Sequence, residues 1–165
     1  MPIQIKIIIY FLSSILLAAC TFQRDTVKID PPKAVPPYPL IQFYKKEGSI
    51  KPDCNFRLKP GSHKFRERGG CTNDDDYYFS ISEASEGYEF RIMNNGDCHE
   101  KDGWAGYVLR DPLPGEGIPM TGVETSFNLV RNEMITRGLH AYGSLNKGNL
   151  SGKVSCVKVI YPPEP

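Results

Sequence analysis

Hydrophobic and polar positions divide the chain into stretches of different character. Ile7 to Ala19 is a nearly unbroken apolar run, interrupted only by Ser13 and Ser14 and preceded by Lys6. As a helix its thirteen residues rise about 1.5 Å each, roughly 20 Å in all. That is short of the roughly 30 Å hydrocarbon core of a bilayer. A stretch with Pro31, Pro32, Pro36, Pro37 and Pro39 follows, to about residue 47. Proline density of this kind opposes helix and central strand and favours extended, polyproline-like chain. We read it as a tether, in preference to a ligand for a proline-recognition domain.

From about residue 48 short aromatic and β-branched runs alternate with glycine and asparagine. Tyr77–Ile81 reads as a strand. Tyr88–Met93 alternates cleanly, which puts Tyr88, Phe90 and Ile92 on one buried face. Asn94-Asn95-Gly96 is a turn signal. Trp104–Leu109, Phe127–Val130, Leu139–Tyr142 and Val154–Ile160 are further strand candidates, and Leu129–Ile135 is the one place where a helical turn fits. Asp111–Gly122, with three prolines and three glycines, reads as a long surface loop. The spacing predicts an all-β domain over residues 48–165, a small antiparallel β-sandwich.

The N-terminal run has the order of a secretory signal: a basic start, an apolar middle and small residues at its end. Leu17-Ala18-Ala19-Cys20 resembles the lipobox of bacterial lipoproteins. That resemblance implies acylation of the Cys20 thiol and cleavage just before it, with the acyl chains as anchor. Residues 1–19 are then signal peptide, and residues 20–47 are lipidated cysteine and tether. Thr21, where inner-membrane retention in enteric lipoproteins uses Asp, implies an outer-membrane lipoprotein facing the periplasm. Multiple acyl chains hold a protein more firmly than one.

Lys and Arg number 20 against 19 Asp and Glu, a net charge of +1. Lys6 leaves with the signal, so the remainder is balanced, which argues against a nucleic-acid binder. Besides Cys20 the chain holds Cys54, Cys71, Cys98 and Cys156. An even set in an exported chain predicts two disulfides, and the spacings fit no zinc pattern. Of the three connectivities we expect Cys54–Cys71 with Cys98–Cys156, although sequence alone leaves the others open.

Two segments resemble bacterial βγ-crystallins. One runs from Cys71-Thr72-Asn73-Asp74-Asp75-Asp76-Tyr77-Tyr78-Phe79-Ser80-Ile81 through Gly87 and Phe90-Arg91-Ile92 to Asp102-Gly103-Trp104. The other is Gly148-Asn149-Leu150-Ser151-Gly152-Lys153-Val154-Ser155-Cys156-Val157-Lys158-Val159. The resemblance implies a Greek-key sandwich and a loop whose oxygens bind calcium, with Asn73, Asp74 and Asp76 as candidate ligands. The sequence departs from the pattern at Tyr77, where a Ser or Thr is usual, and at Ser151-Gly152, which replace the second acidic pair. Calcium needs several hard oxygens. Adjacent acids on an extended segment point to alternate sides, so a solvated turn opening a strand is the simpler reading of Asp74-Asp75-Asp76.

No nucleophile, zinc or phosphate-loop motif surrounds His63, His99 or His140. Cys98-His99 would point to opposite faces of a strand, and Cys98 is expected to be bridged. Glu83, Glu86 and Glu89 are hydrolase carboxylates only in number. Trp104, Tyr77, Tyr78, Tyr88, Tyr107 and Tyr142 would make a sugar-stacking platform only if they shared a face, and aromatic residues in so small a sandwich mostly fill the core. Trp104, between Gly103 and Ala105, is the strongest candidate for a partner contact. The expected function is a non-catalytic, lipid-anchored protein that binds another protein, in its specific form an immunity protein against a periplasm-acting toxin. A calcium-stabilised envelope protein is the alternative, and an envelope hydrolase ranks last.

Overall fold

The computed structural model describes residues 38–69, 71–83, 85–110 and 116–161. The expected signal peptide, Cys20 and the expected tether to residue 37 lie outside these, as do residues 111–115 of the expected loop.

Ten strands form among the described residues: β1 (Leu40–Tyr44), β2 (Cys54–Arg57), β3 (Gly61–Lys64), β4 (Tyr78–Ser82), β5 (Glu89–Met93), β6 (Trp104–Leu109), β7 (Ile118–Gly122), β8 (Met134–Thr136), β9 (Leu139–Leu145) and β10 (Cys156–Tyr161). A single 3-10 turn, Phe65–Glu67, follows β3. One sheet has the order β2-β1-β4-β7 and the other β3-β10-β5-β6-β9-β8. Every pairing is antiparallel. The domain is therefore all-β, as its alternation predicts.

Period-two patterning builds the core. Ile41, Phe43, Phe56, Phe79 and Ile81 come from the four-stranded sheet, and Phe90, Ile92, Ala105, Tyr107, Leu109, Val157 and Val159 from the other. Phe79 meets Tyr107 at 4.9 Å and Phe90 at 6.0 Å, both edge-on, and Phe43 meets Phe65 edge-on at 5.1 Å. Edge-on pairs add about 0.5–1.5 kcal/mol beyond the area they bury. Tyr107 is wholly buried, and its hydroxyl donates to the Val123 carbonyl at 3.0 Å. The fold thus satisfies the one polar atom that this core ring carries.

Both expected disulfides are present, Cys54–Cys71 and Cys98–Cys156. The first ties β2 to the segment after the 3-10 turn. The second ties the β5–β6 loop to the start of β10. The chain enters at Tyr38, beside the β2–β3 turn, where Leu58 donates to the Pro39 carbonyl at 2.8 Å. The loops that follow β1, β3, β5, β7 and β9 leave from the opposite end of the strands. Hydrogen bonds knit them there, Tyr77 to Tyr44, Val123 to Tyr77 and Asp74 to Val154.

Four expectations are corrected. The tether does not extend to residue 47, because Leu40–Tyr44 is β1, an interior strand with Ile41 and Phe43 fully buried. Phe127–Val130 is not a strand: Phe127 bonds back to Glu124 at 2.9 Å and Leu129 to Ser126 at 3.3 Å, a succession of turns. Leu129–Ile135 holds no helical turn but a tight turn closed by Glu133 on Val130 at 3.0 Å, leading into β8. Asp111–Gly122 is not all loop, since Ile118–Gly122 is β7. β7 is an edge strand, which tolerates the missing N–H of Pro119.

Candidate interaction surface

The outer face of the six-stranded sheet carries an ordered set of polar aromatics and guanidinium groups. On β5 the inward residues are Phe90 and Ile92, so Arg91 projects outward. Its guanidinium lies 4.1 Å from the ring centre of Trp104 on β6 and 5.9 Å from that of Tyr142 on β9. Arg131, from the β7–β8 connection, also lies over the Tyr142 ring, 4.4 Å from its centre. The result is a row: Trp104, Arg91, Tyr142, Arg131. Cation–π contacts contribute about 0.5–1 kcal/mol each at exposed sites and more when desolvated, as for Arg91, whose side chain is only 14% exposed.

Gly106 makes room for the row. A Cβ there would stand 2.8 Å from the Gly143 carbonyl oxygen, 3.1 Å from the Trp104 ring and 3.3 Å from the Tyr142 ring. Only a residue without a side chain lets both rings settle across the sheet. Trp104 is the first residue of β6 and half-buried, so it packs against the sheet face.

A disulfide braces one flank. Cys98–Cys156 holds the β5–β6 loop over the sheet, and Met93, Cys98 and Cys156 form a second, small buried cluster against Trp104. The same loop carries Glu100, which pairs with Arg91 and, at 2.8 Å, with Lys158. The Lys158 ammonium, aided by Arg91, holds the Glu100 carboxyl below its ordinary range, against the opposing effect of desolvation. Arg131 has no ion pair among the described residues.

The acidic run sits at the loop end, and its members separate. Asn73 donates to Asp74 Oδ2 at 2.7 Å, and the Ser155 hydroxyl donates to Asp74 Oδ1 at 2.8 Å. Asp75 pairs with Lys45, which also reaches Asp53 at 3.4 Å. Asp76 is fully buried, and neither carboxylate oxygen has a hydrogen-bond partner. Burial, and then the charges of Asp53 and Asp75, push its carboxyl up to about 7, with Lys45 opposing. Asp74 is exposed while Asp76 is enclosed, so Asn73, Asp74 and Asp76 do not share one environment. Among the described residues no group of three or more His, Cys, Asp or Glu side chains is placed to hold a metal ion.

The other candidates do not assemble. His63 is buried, His99 is exposed, and His140 places Nδ1 3.1 Å from the Asn132 carbonyl. Glu83 is paired with Arg57 at 2.7 Å. Cys98 is bridged, so Cys98-His99 offers no free thiol. Tyr88 and Tyr107 are core residues and Tyr77 is exposed at the loop end, so the aromatics do not form one platform. Sequence reasoning singled out Trp104 and Tyr142 but missed Arg91 and Arg131. The alternation of β5 already assigns Arg91 to the face opposite Phe90. Arg131 reaches the row from a turn, which no strand periodicity encodes.

Comparison with protein families, curated proteins and solved structures finds no match to this chain. The crystallin-type Greek key and its calcium loop therefore stand as a resemblance in sequence.

Proposed function

We propose that this protein is a non-catalytic interaction module, lipid-anchored through Cys20 in the outer membrane and facing the periplasm. Its specific form is an immunity protein that binds a periplasm-acting toxin. The observation that carries the reading is the Trp104–Arg91–Tyr142–Arg131 row. Trp, Tyr and Arg are the residues that dominate binding energy at protein interfaces. Here they lie on a sheet face braced by a disulfide, so little ordering is required on docking. A tether arriving from an acylated Cys20 joins the domain at Tyr38, beside the β2–β3 turn.

The test is a pull-down from the native envelope with tagged residues 21–165, exported in soluble form. One stoichiometric protein partner supports the reading, and a toxin encoded beside this gene supports its specific form. Tyr142→Ala and Arg131→Ala together should weaken capture at least tenfold, since a single hot-spot truncation costs more than about 1.4 kcal/mol. Equal capture by the double variant would remove the face from the interaction.

A further inference from the structure

We infer that the pocket beside β3 and the 3-10 turn is an oxyanion site, taking a carboxylate or phosphate group through Arg68. Ser62, His63, Lys64, Glu67 and Arg68 line a cavity of about 270 Å³. Arg68 lies over the core, its guanidinium 4.4 Å from the centre of the Phe56 ring. His63 stacks on the same ring at 5.0 Å and is almost wholly buried. Its Nε2 donates to the Lys59 carbonyl at 2.7 Å, which fixes the tautomer and leaves Nδ1 to accept from Arg68.

That bond is the only side-chain hydrogen bond of Arg68 among the described residues, and no carboxylate pairs with it there. A guanidinium carries five donors in a planar fork that matches oxyanions bidentately. Partial burial disfavours its charge, with no acid offsetting the effect. The remaining charges nearby are largely basic. Lys59 faces His63 from the β2–β3 turn, and Lys64 borders the cavity. Glu67 is engaged by Lys64 at 3.2 Å, and Asp97, from the β5–β6 loop, pairs with Arg66 and Lys64. An incoming oxyanion would supply the negative partner that Arg68 lacks. The backbone at Arg68 is held, because its N–H donates to the Phe65 carbonyl at 3.0 Å and Cys71, three residues on, is bridged to Cys54, while the Phe56 ring and His63 position the fork itself. This site is separate from the proposed partner face and does not depend on that reading.

The test uses the full chain in detergent, with inorganic phosphate and acetate titrated separately against chloride at constant ionic strength. The side-chain Nε–H resonance of Arg68 and the titration of His63 are followed by NMR. A saturable Arg68 shift with phosphate or with acetate supports the site, and the arm that saturates identifies the oxyanion. The bound anion should also raise the apparent pKa of His63, because it screens Arg68 and Lys59 from the imidazolium. Arg68→Lys keeps a cation and an aliphatic stem over Phe56 but loses the fork, and should weaken binding at least tenfold, followed in this variant through the His63 imidazole resonances. Lys64→Gln should weaken it severalfold with the fold intact. Non-saturating shifts in both arms, a chloride response of equal size, or unchanged half-saturation in a folded Arg68→Lys would overturn the inference.

Discussion

Replacing Asp76 by Asn should change how stability depends on pH. Asp76 is fully enclosed, with both carboxylate oxygens unpartnered, and its carboxyl is pushed up to about 7 from 3.8. The folded state therefore keeps a proton through a window in which the unfolded chain has lost it. An acid with a raised native pKa contributes most below its unfolded value, and that contribution is lost as pH rises through the native value. At about 1.4 kcal/mol per unit, the loss between pH 4 and 8 is about 4 kcal/mol. Small domains hold only about 5–15 kcal/mol in total. His63 runs the other way, since burial lowers its pKa and its contribution falls on acidification below about 6.5. Only the difference between wild type and Asp76→Asn isolates the carboxyl. Urea unfolding at several pH values from about 4 to 8 supplies it. The variant should gain about 4 kcal/mol relative to wild type across that range. Two parallel curves would show that Asp76 does not exchange a proton in the window, and the burial argument would fail.

Further outcomes follow from the same structure. Cys156→Ser leaves Cys98 unpaired and frees the loop over Met93, and should cost about 2–5 kcal/mol in urea unfolding, as loss of a native bridge does in small secreted domains; an unchanged midpoint would contradict the bridge. Gly106→Ala forces its Cβ to 2.8 Å from the Gly143 carbonyl oxygen, so β6 and β9 must separate. It should lower the melting temperature and redden Trp104 fluorescence, whereas an unshifted spectrum would refute the close approach. Cys20→Ser should move the protein from the membrane fraction to the soluble one with its melting temperature unchanged, and retention in the membrane would refute lipid anchoring. Calcium should leave the melt unshifted relative to chelator, whereas a saturating site would add about 3 kcal/mol at about 100 times its dissociation constant.

Period-two alternation made much of the sandwich legible. Tyr88, Phe90 and Ile92 fall inside, as their spacing requires, and β4, β5, β6, β9 and β10 lie on or beside the predicted runs. β1 was hidden by its flanks. Pro39 before it and Lys45-Lys46 after it made Leu40–Tyr44 read as the end of a proline-rich tether, although Ile41 and Phe43 alternate as a strand should. β2 and β3 are four residues each, and β3 is Gly-Ser-His-Lys, whose burial comes from His63 stacking on Phe56. Propensity cannot show that contact, because it depends on the opposite sheet. Phe127 and Leu129 are half-buried from turns, so apolar content there reported packing rather than strand.

The candidate surface was legible only in pieces. Trp104 and Tyr142 are conspicuous in composition, and the even cysteine set pointed to the Cys98–Cys156 bridge that braces the face. The row itself depends on register: Met93 opposite Trp104, Arg91 opposite Gly106, and Gly106 opposite Gly143. Register is fixed by the pairing of whole strands, so a local window cannot supply it. Asp76 shows the same limit from the other side. Its sequence neighbours suggest a solvated turn, and Asp74 and Asp75 behave so, yet the loop closes over Asp76.

The most direct test of the proposed role is capture of a partner from the native envelope by wild type and by the Tyr142→Ala, Arg131→Ala double variant. The interaction reading predicts one stoichiometric protein partner for wild type and at least tenfold weaker capture by the folded double variant. Absence of any partner for folded, oxidised wild type would contradict it.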